Sequence, residues 1–442
     1  MGGRARSRPH HVNPPATTSD PDSVLGRCRS LCGMSHLSNV WFKVTDLQVS
    51  HGTGCRVTTV AGDEYLDFAA GIAVNSTGHA HPKVVAAIGA QAERFIHAQI
   101  NVFTHDLAEP LAARLSEITP GAIDTFFFAN SGAEITEAAV KLAKQVTRRP
   151  NIVVFQGSFH GRTHMAMAMT TSKTGYRAGH APLPSGVFVS PFPDLLAADP
   201  DGAVDSALDA FDRLLLAETA PSETAAVIIE PVLGEGGYMP APKAFLEGVF
   251  ERCRRHGILF IADEVQSGFG RTGTWFAVEH YDLEPDIICM AKGIASGFPF
   301  SALGTRRELD DQWPKGSHGG TYGGNPMGCA AALATIEIMS EPGFLDNVRA
   351  RGEQLSVALT GLMGAHPGIV QVRGPGLMVG TVFDDPARVS RVLGHCLAEG
   401  HLILMNAGTY GNVIRWMPPL VVTPEEIDEG LQAFSNALKA TD

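Results

Sequence analysis

From about residue 106 onward, the apolar residues of this chain fall into two alternating rhythms. One consists of short continuous runs: "IDTFFFAN", "NIVVF", "AAVIIEP", "ILFIADE" and "DIICMAK". The other has helical spacing, as at Ile135, Ala139, Leu142 and Val146. A run that is apolar at every position suits a strand covered on both faces, and strands of that kind alternating with helices predict a mostly parallel sheet wrapped by helices. After about residue 330, long helical runs lead into "GIVQVRGPGLMVGTVF" and short strands near "HLILM" and "NVIRWM". That change predicts a second, smaller α+β domain. The expected fold is therefore α/β: a large domain over 83–330, with 34–82 and 331–442 building the smaller one.

Residues 1–33 break both rhythms. They are rich in Arg, Pro and Ser, and such a composition cannot offset the entropy of ordering, so a disordered tail is expected. An Arg-rich start also fits a transit peptide, although its prolines oppose an amphipathic helix. Met34 opens the first globular segment and is a candidate translation start.

The stretch "ADEVQSGFGRTG" holds Gly268, Gly270 and Gly273 in the spacing of a dinucleotide-binding fingerprint. That fingerprint needs a helix after its glycines and an acidic residue at the end of the next strand. Thr274, Trp275 and Phe276 offer no helix start, and Asp286 precedes the next apolar run rather than following it. The glycines are better read as a bend, which leaves Asp263 at the strand end to be explained.

Composition narrows the class. With 442 residues and 44% hydrophobic content, the chain can build a large core, and single cores stop growing near ~250 to 300 residues. A formal charge of -12 argues against nucleic acid and for small-molecule partners. No apolar run reaches the ~18 residues of a membrane span, and no secretory signal is visible, so a cytoplasmic protein is expected. The seven cysteines are scattered and odd in number, which suggests reduced thiols. Cys28 with Cys32, and His79 with His81 in "GHAHP", each lack further ligands, so no metal site is expected.

The chemistry gathers where strands end. Asn130, Glu230, Asp263 and Lys292 each follow an apolar run, and in open α/β sheets ligands sit beyond the carboxyl ends of the strands. In "NSGAEITEAAVKLAK", Ser131 and Glu134 form a capping box that starts a helix. The small residues Ser131, Gly132 and Ala133 would let a phosphate reach the N–H groups of its first turn, although an ordinary capped helix has the same pattern. Lys292 lies between Ala291 and Gly293 just after a buried run, and a desolvated lysine amine can form a Schiff base with a carbonyl cofactor. Asp263 would complete that chemistry by keeping a pyridine nitrogen protonated, the arrangement of a pyridoxal phosphate site.

"NSGAEITEAAVKLAK", "FHGRT", "EPVLGEGGY", "ADEVQSGFGRTG", "AKGIASGFP" and "GGTYGGNP" follow one another in an order and spacing that resemble the class III aminotransferases of fold type I. The resemblance spans about residues 36 to 440 and is nearest to the 4-aminobutyrate aminotransferases. It implies a fold type I pyridoxal phosphate transferase in which Lys292 carries the cofactor, Asp263 pairs with its ring nitrogen and Gln266 lies beside its ring hydroxyl. Ser131, Gly132 and Ala133 would hold the phosphate. Phe159 would stack on the ring, where many 4-aminobutyrate enzymes have tyrosine. Thr321 would reach the phosphate from a neighbouring subunit, which implies a homodimer with shared active sites and allows a dimer of dimers.

For the substrate, the resemblance implies that Arg162 takes the remote carboxylate of an ω-amino acid and that Arg415 takes the α-carboxylate of glutamate or 2-oxoglutarate. Glu235 would pair with Arg415 while a monocarboxylate is bound, and Ile72 would form an apolar gate. The expected reaction moves an amino group from an ω-amino acid, 4-aminobutyrate foremost, to 2-oxoglutarate. An amino-acid racemase or epimerase would keep the same cofactor residues, and ornithine or acetylornithine transamination is a further alternative. A non-catalytic regulator is disfavoured, because Lys292, Asp263 and Glu235 are all present and no DNA-binding segment is appended.

Overall fold

The computed structural model describes residues 36–441. The expectations for residues 1–33, Met34, Cys28 and Cys32 lie outside the described residues. The chain divides after Leu47. In the first unit, Val40, Trp41 and Phe42 are exposed; everything below concerns the second.

Its centre is a seven-stranded sheet in the order Thr125–Ala129, Ser301–Thr305, Ile287–Met290, Leu259–Asp263, Thr224–Ile229, Asn151–Phe155, Val187–Ser190. All five apolar runs read from the sequence are strands in it. Successive residues feed opposite faces, as the strand period requires. Ile152, Val154, Ile228 and Ile261 pack with Ile135, Ala139 and Leu142 of helix Gly132–Thr147. Val153, Phe155, Val227 and Phe260 pack on the other face with Phe211 and Phe245, from helices Pro200–Ala217 and Lys243–His256. Each such side chain contributes roughly 1.5–3 kcal/mol of burial energy.

Two strands lie outside those five runs. Val187–Ser190 is a four-residue edge strand, parallel to its neighbour. Ser301–Thr305 runs antiparallel to both of its neighbours. Its sequence, "SALGT", is small because the space demands it: a Cβ at Gly304 would lie 2.8 Å from Ile123 and 2.9 Å from Ile288.

Early and late segments of the second unit meet beside this core. Strands Val49–Thr53, Arg56–Thr59 and Glu64–Asp67 form an antiparallel meander, and Leu402–Ile403 adds to it in parallel, opposite Leu66 and Asp67. A second antiparallel sheet joins Ile369–Arg373, Val379–Phe383, Val413–Trp416 and Met405–Ala407. Helices Phe344–Met363 and Pro386–Ala398 pack on it.

The bend after Asp263 replaces the helix that a dinucleotide site would need. Gly270 and Gly273 take φ values of 80° and 90° there, and the next element is a 3-10 turn, Ala277–Tyr281. The two loop histidines are structural: His79 Nε2 lies 2.8 Å from Asp67 Oδ2, and His81 caps helix Pro82–Arg94. The five described cysteines, Cys55, Cys253, Cys289, Cys329 and Cys396, are free and buried. Among the described residues, no helix is long and apolar enough to cross a membrane.

Candidate active site

The strand-end residues converge. Asn130, Glu230, Asp263 and Lys292 line one cavity of about 430 Å³ together with Ser131, Gly132, Ala133, Phe159, Arg162, Glu235 and Gln266. Lys292 follows strand Ile287–Met290 and opens a short 3-10 turn with φ at 44°. A left-handed lysine is uncommon and costs on the order of 1 kcal/mol or more. Buried neighbours Ala291, Gly293 and Ile294 hold it in place. Burial lowers the Lys292 ammonium to about 8, against the opposing pull of Glu235 and with Arg415 adding to the fall. An amine that loses its proton this readily is a competent nucleophile near neutral pH.

Asp263 ends strand Leu259–Asp263 and is 2% exposed. His160 Nδ1 lies 2.7 Å from its Oδ2, and Val265 N–H donates to its Oδ1 at 3.1 Å. The His160 ring is oriented in turn by its backbone, whose N–H donates to Thr170 and whose carbonyl accepts from Thr136. Glu230 accepts the N–H groups of Phe159 and Gly234, each at 2.8 Å, and so ties the backbone at Phe159 to the loop that carries Glu235. Burial pushes the Glu230 carboxyl up to about 7, His160 opposing and Asp263 adding.

Helix Gly132–Thr147 aims its N-terminus into the cavity. Ser131 caps it by accepting from Glu134 N–H, and Glu134 returns the bond to Asn130 N–H at 2.9 Å. The N–H groups of Gly132 and Ala133 belong to the first turn, which has no intrahelical acceptors. A Cβ at Gly132 would lie 2.8 Å from Val265 Cγ1, so only glycine leaves this end open.

Across the cavity, Arg415 is 2% exposed on strand Val413–Trp416. Its Nη1 donates to Glu235 Oε1 at 2.5 Å. Burial works to raise the Glu235 carboxyl, but Arg415, Lys292 and the Tyr176 hydroxyl together hold it below the usual carboxylate range. Arg162 stacks over the Tyr176 ring, 4.5 Å from its centroid.

These residues suit pyridoxal phosphate, the cofactor that the resemblance implies. The cavity offers a lysine that deprotonates readily, a buried and oriented carboxylate, and a helix end open to an anion. Gln266 Oε1 and His160 Nε2 are buried without a hydrogen-bond partner among the described residues, as polar atoms awaiting a ligand would be. Two expected residues are not on the cavity wall. Thr321 is exposed on its turn, and Ile72 is 40% exposed in a left-handed conformation that is strained for a β-branched side chain, while Val74 lines the cavity instead. Residues that sequence reasoning passed over are His160, which lies inside the quoted "FHGRT", and Tyr176, which lies in no quoted motif.

A model of the aminotransferase class-III family matches residues 37–438. The chain is 40% identical to the 5-aminovalerate aminotransferase of Pseudomonas putida over 85% of its own length and 89% of that protein. It is 38% identical to the 4-aminobutyrate aminotransferase of Escherichia coli, covering 86% and 91%. It is 40% identical to the acetylornithine aminotransferase of Corynebacterium efficiens, covering 88% and 91%. Among solved structures, the ornithine aminotransferase of Toxoplasma gondii, which has partial occupancy of pyridoxal phosphate at its active site, superposes with a TM-score of 0.81. It shares 30% identity over 91% of this chain and 92% of its own.

Proposed function

The chain belongs to the class-III aminotransferases, and from that premise we propose that it transfers the amino group of an ω-amino acid to 2-oxoglutarate. The preferred donor in this reading is 4-aminobutyrate, which would give succinate semialdehyde and glutamate. One observation carries it: a buried arginine, Arg415, whose counter-charge is a carboxylate on the cavity wall, Glu235. A monocarboxylate donor binds with Glu235 closed on Arg415, while a dicarboxylate displaces Glu235 and takes Arg415 itself. Without that exchange, one substrate of the pair would leave a buried charge uncompensated, at a cost of several kcal/mol.

Pyridoxal phosphate, when bound, supplies an electron sink for the bonds at the substrate's amine carbon. In this reading Lys292 would hold the cofactor, and its amine, once freed by the substrate amine, would move a proton at the substrate's amine carbon. Asp263, oriented by His160, would pair with the ring nitrogen, and Gln266, on the same cavity wall, would lie beside the ring hydroxyl. Phe159 would pack on the ring, and the first turn at Ser131, Gly132 and Ala133 would receive the phosphate. Ile72 would be an apolar gate that lies outside the cavity wall. Thr321, which is exposed, would serve the partner's cofactor if the working unit is a homodimer. The reading of 34–82 and 331–442 as one small domain is supported, for the part after Leu47, by the pairing of Leu66 with Leu402.

The relatives also support N-acetylornithine as a donor. A panel of 4-aminobutyrate, 5-aminovalerate, ornithine and N-acetylornithine, each followed in a single half-reaction by cofactor absorbance, separates these. Conversion by the ω-amino acids is the expected result. Conversion by N-acetylornithine alone would overturn the donor assignment. Exchange of an α-proton in deuterated water without net conversion would point to a racemase.

A further inference from the structure

Tyr176 touches both halves of the proposed carboxylate machinery. It closes the short turn Thr174–Tyr176. Its hydroxyl donates to Glu235 Oε2 at 2.9 Å while Arg415 engages Oε1, so both oxygens of that carboxylate are held. Its ring carries the Arg162 guanidinium on one face, a cation–π contact of 4.5 Å, and meets the Phe159 ring edge-on at 5.2 Å. Burial and the nearby Glu235 keep the hydroxyl protonated to about 12, so it remains a donor at any working pH.

We propose that Tyr176 is a positioning residue that latches Glu235 onto Arg415, and that it thereby sets the balance between monocarboxylate donors and dicarboxylate acceptors; this rests on the two-arginine reading above. The hydroxyl bond exists only while Glu235 is closed on Arg415. It therefore favours the form that binds a monocarboxylate and must break when a dicarboxylate claims Arg415. The stacked ring fixes Arg162 in either form. One side chain thus orients the remote carboxylate's receptor and biases the receptor for the other.

The test uses Tyr176→Phe in the holoenzyme, a change that keeps the ring and removes only the latch. Loss of a hydrogen bond to a charged group should raise the KM of the 4-aminobutyrate half-reaction, or that of whichever monocarboxylate donor the panel identifies, about tenfold. The dissociation constant of glutarate, an unreactive dicarboxylate titrated against cofactor absorbance, should fall about tenfold. The limiting rate of each half-reaction should stay within about twofold, because the reacting atoms are untouched. Equal losses in both halves, or an unchanged glutarate affinity, would overturn the latch. Glu235→Gln, measured in parallel, separates the two levels. If it shifts the donor-to-glutarate balance and Tyr176→Phe does not, the latch alone fails. If neither shifts it, the two-arginine reading fails and the latch falls with it.

Discussion

Keeping Lys292 ready for chemistry should be measurable as a loss of stability in the cofactor-free protein. Its amine falls from 10.5 to about 8 on folding, chiefly through burial. At ~1.4 kcal/mol for each tenfold, that difference amounts to about 3 kcal/mol. The sign follows from proton counting. Between pH 8 and 10.5 the unfolded chain binds the proton and the folded chain does not, so unfolding becomes harder as pH rises. The full penalty therefore applies below pH 8 and disappears above 10.5. Lys292→Met, which keeps the length and removes the charge, should be more stable than the wild type by about 3 kcal/mol at pH 7 and nearly equal to it above pH 10.5. Urea unfolding of both cofactor-free proteins across this range measures the difference, with the titration of groups away from Lys292 common to both. Parallel pH profiles for the two proteins, or a mutant no more stable at pH 7, would refute the claim that Lys292 is held in a desolvated state.

Two further outcomes follow from the cavity wall. Asp263→Asn should still bind pyridoxal phosphate but lose turnover by on the order of 100-fold or more, since a neutral partner no longer holds the ring proton; near-normal steady-state rates would assign that role to another group. Gly132→Ala should weaken cofactor binding about tenfold, because its Cβ would meet Val265 at 2.8 Å at the helix end, and wild-type affinity in a fluorescence titration would mean that this turn does not receive the phosphate.

How much the sequence discloses depends on whether a position's physics is local. The five strands that announce themselves are apolar at consecutive positions because helices cover both faces of the sheet. Ser301–Thr305 is buried just as deeply, yet its environment selects small residues, so no apolar run marks it. Lys292 and Asp263 stand out as ionisable groups placed directly against buried runs, and the structure brings them to one cavity. His160 contributes only through a partner 103 residues away, and Tyr176 through one 59 residues away. Neither spacing has a periodic signature, so only the folded chain assigns those two side chains a task.

The parallel pairing of Leu402–Ile403 with Leu66–Asp67 also governs the order of events during synthesis. Leu66 N–H is satisfied by His401 O at 2.8 Å, and Phe68 N–H by Ile403 O at 3.0 Å. Both acceptors leave the ribosome long after the amides they serve. At ~5–20 residues per second, the early meander waits some tens of seconds with one edge open, while every strand of the central sheet has already emerged. The nascent chain therefore carries an unpaired strand edge through most of its translation, and the period of greatest aggregation risk ends only when the C-terminal segment arrives to close it.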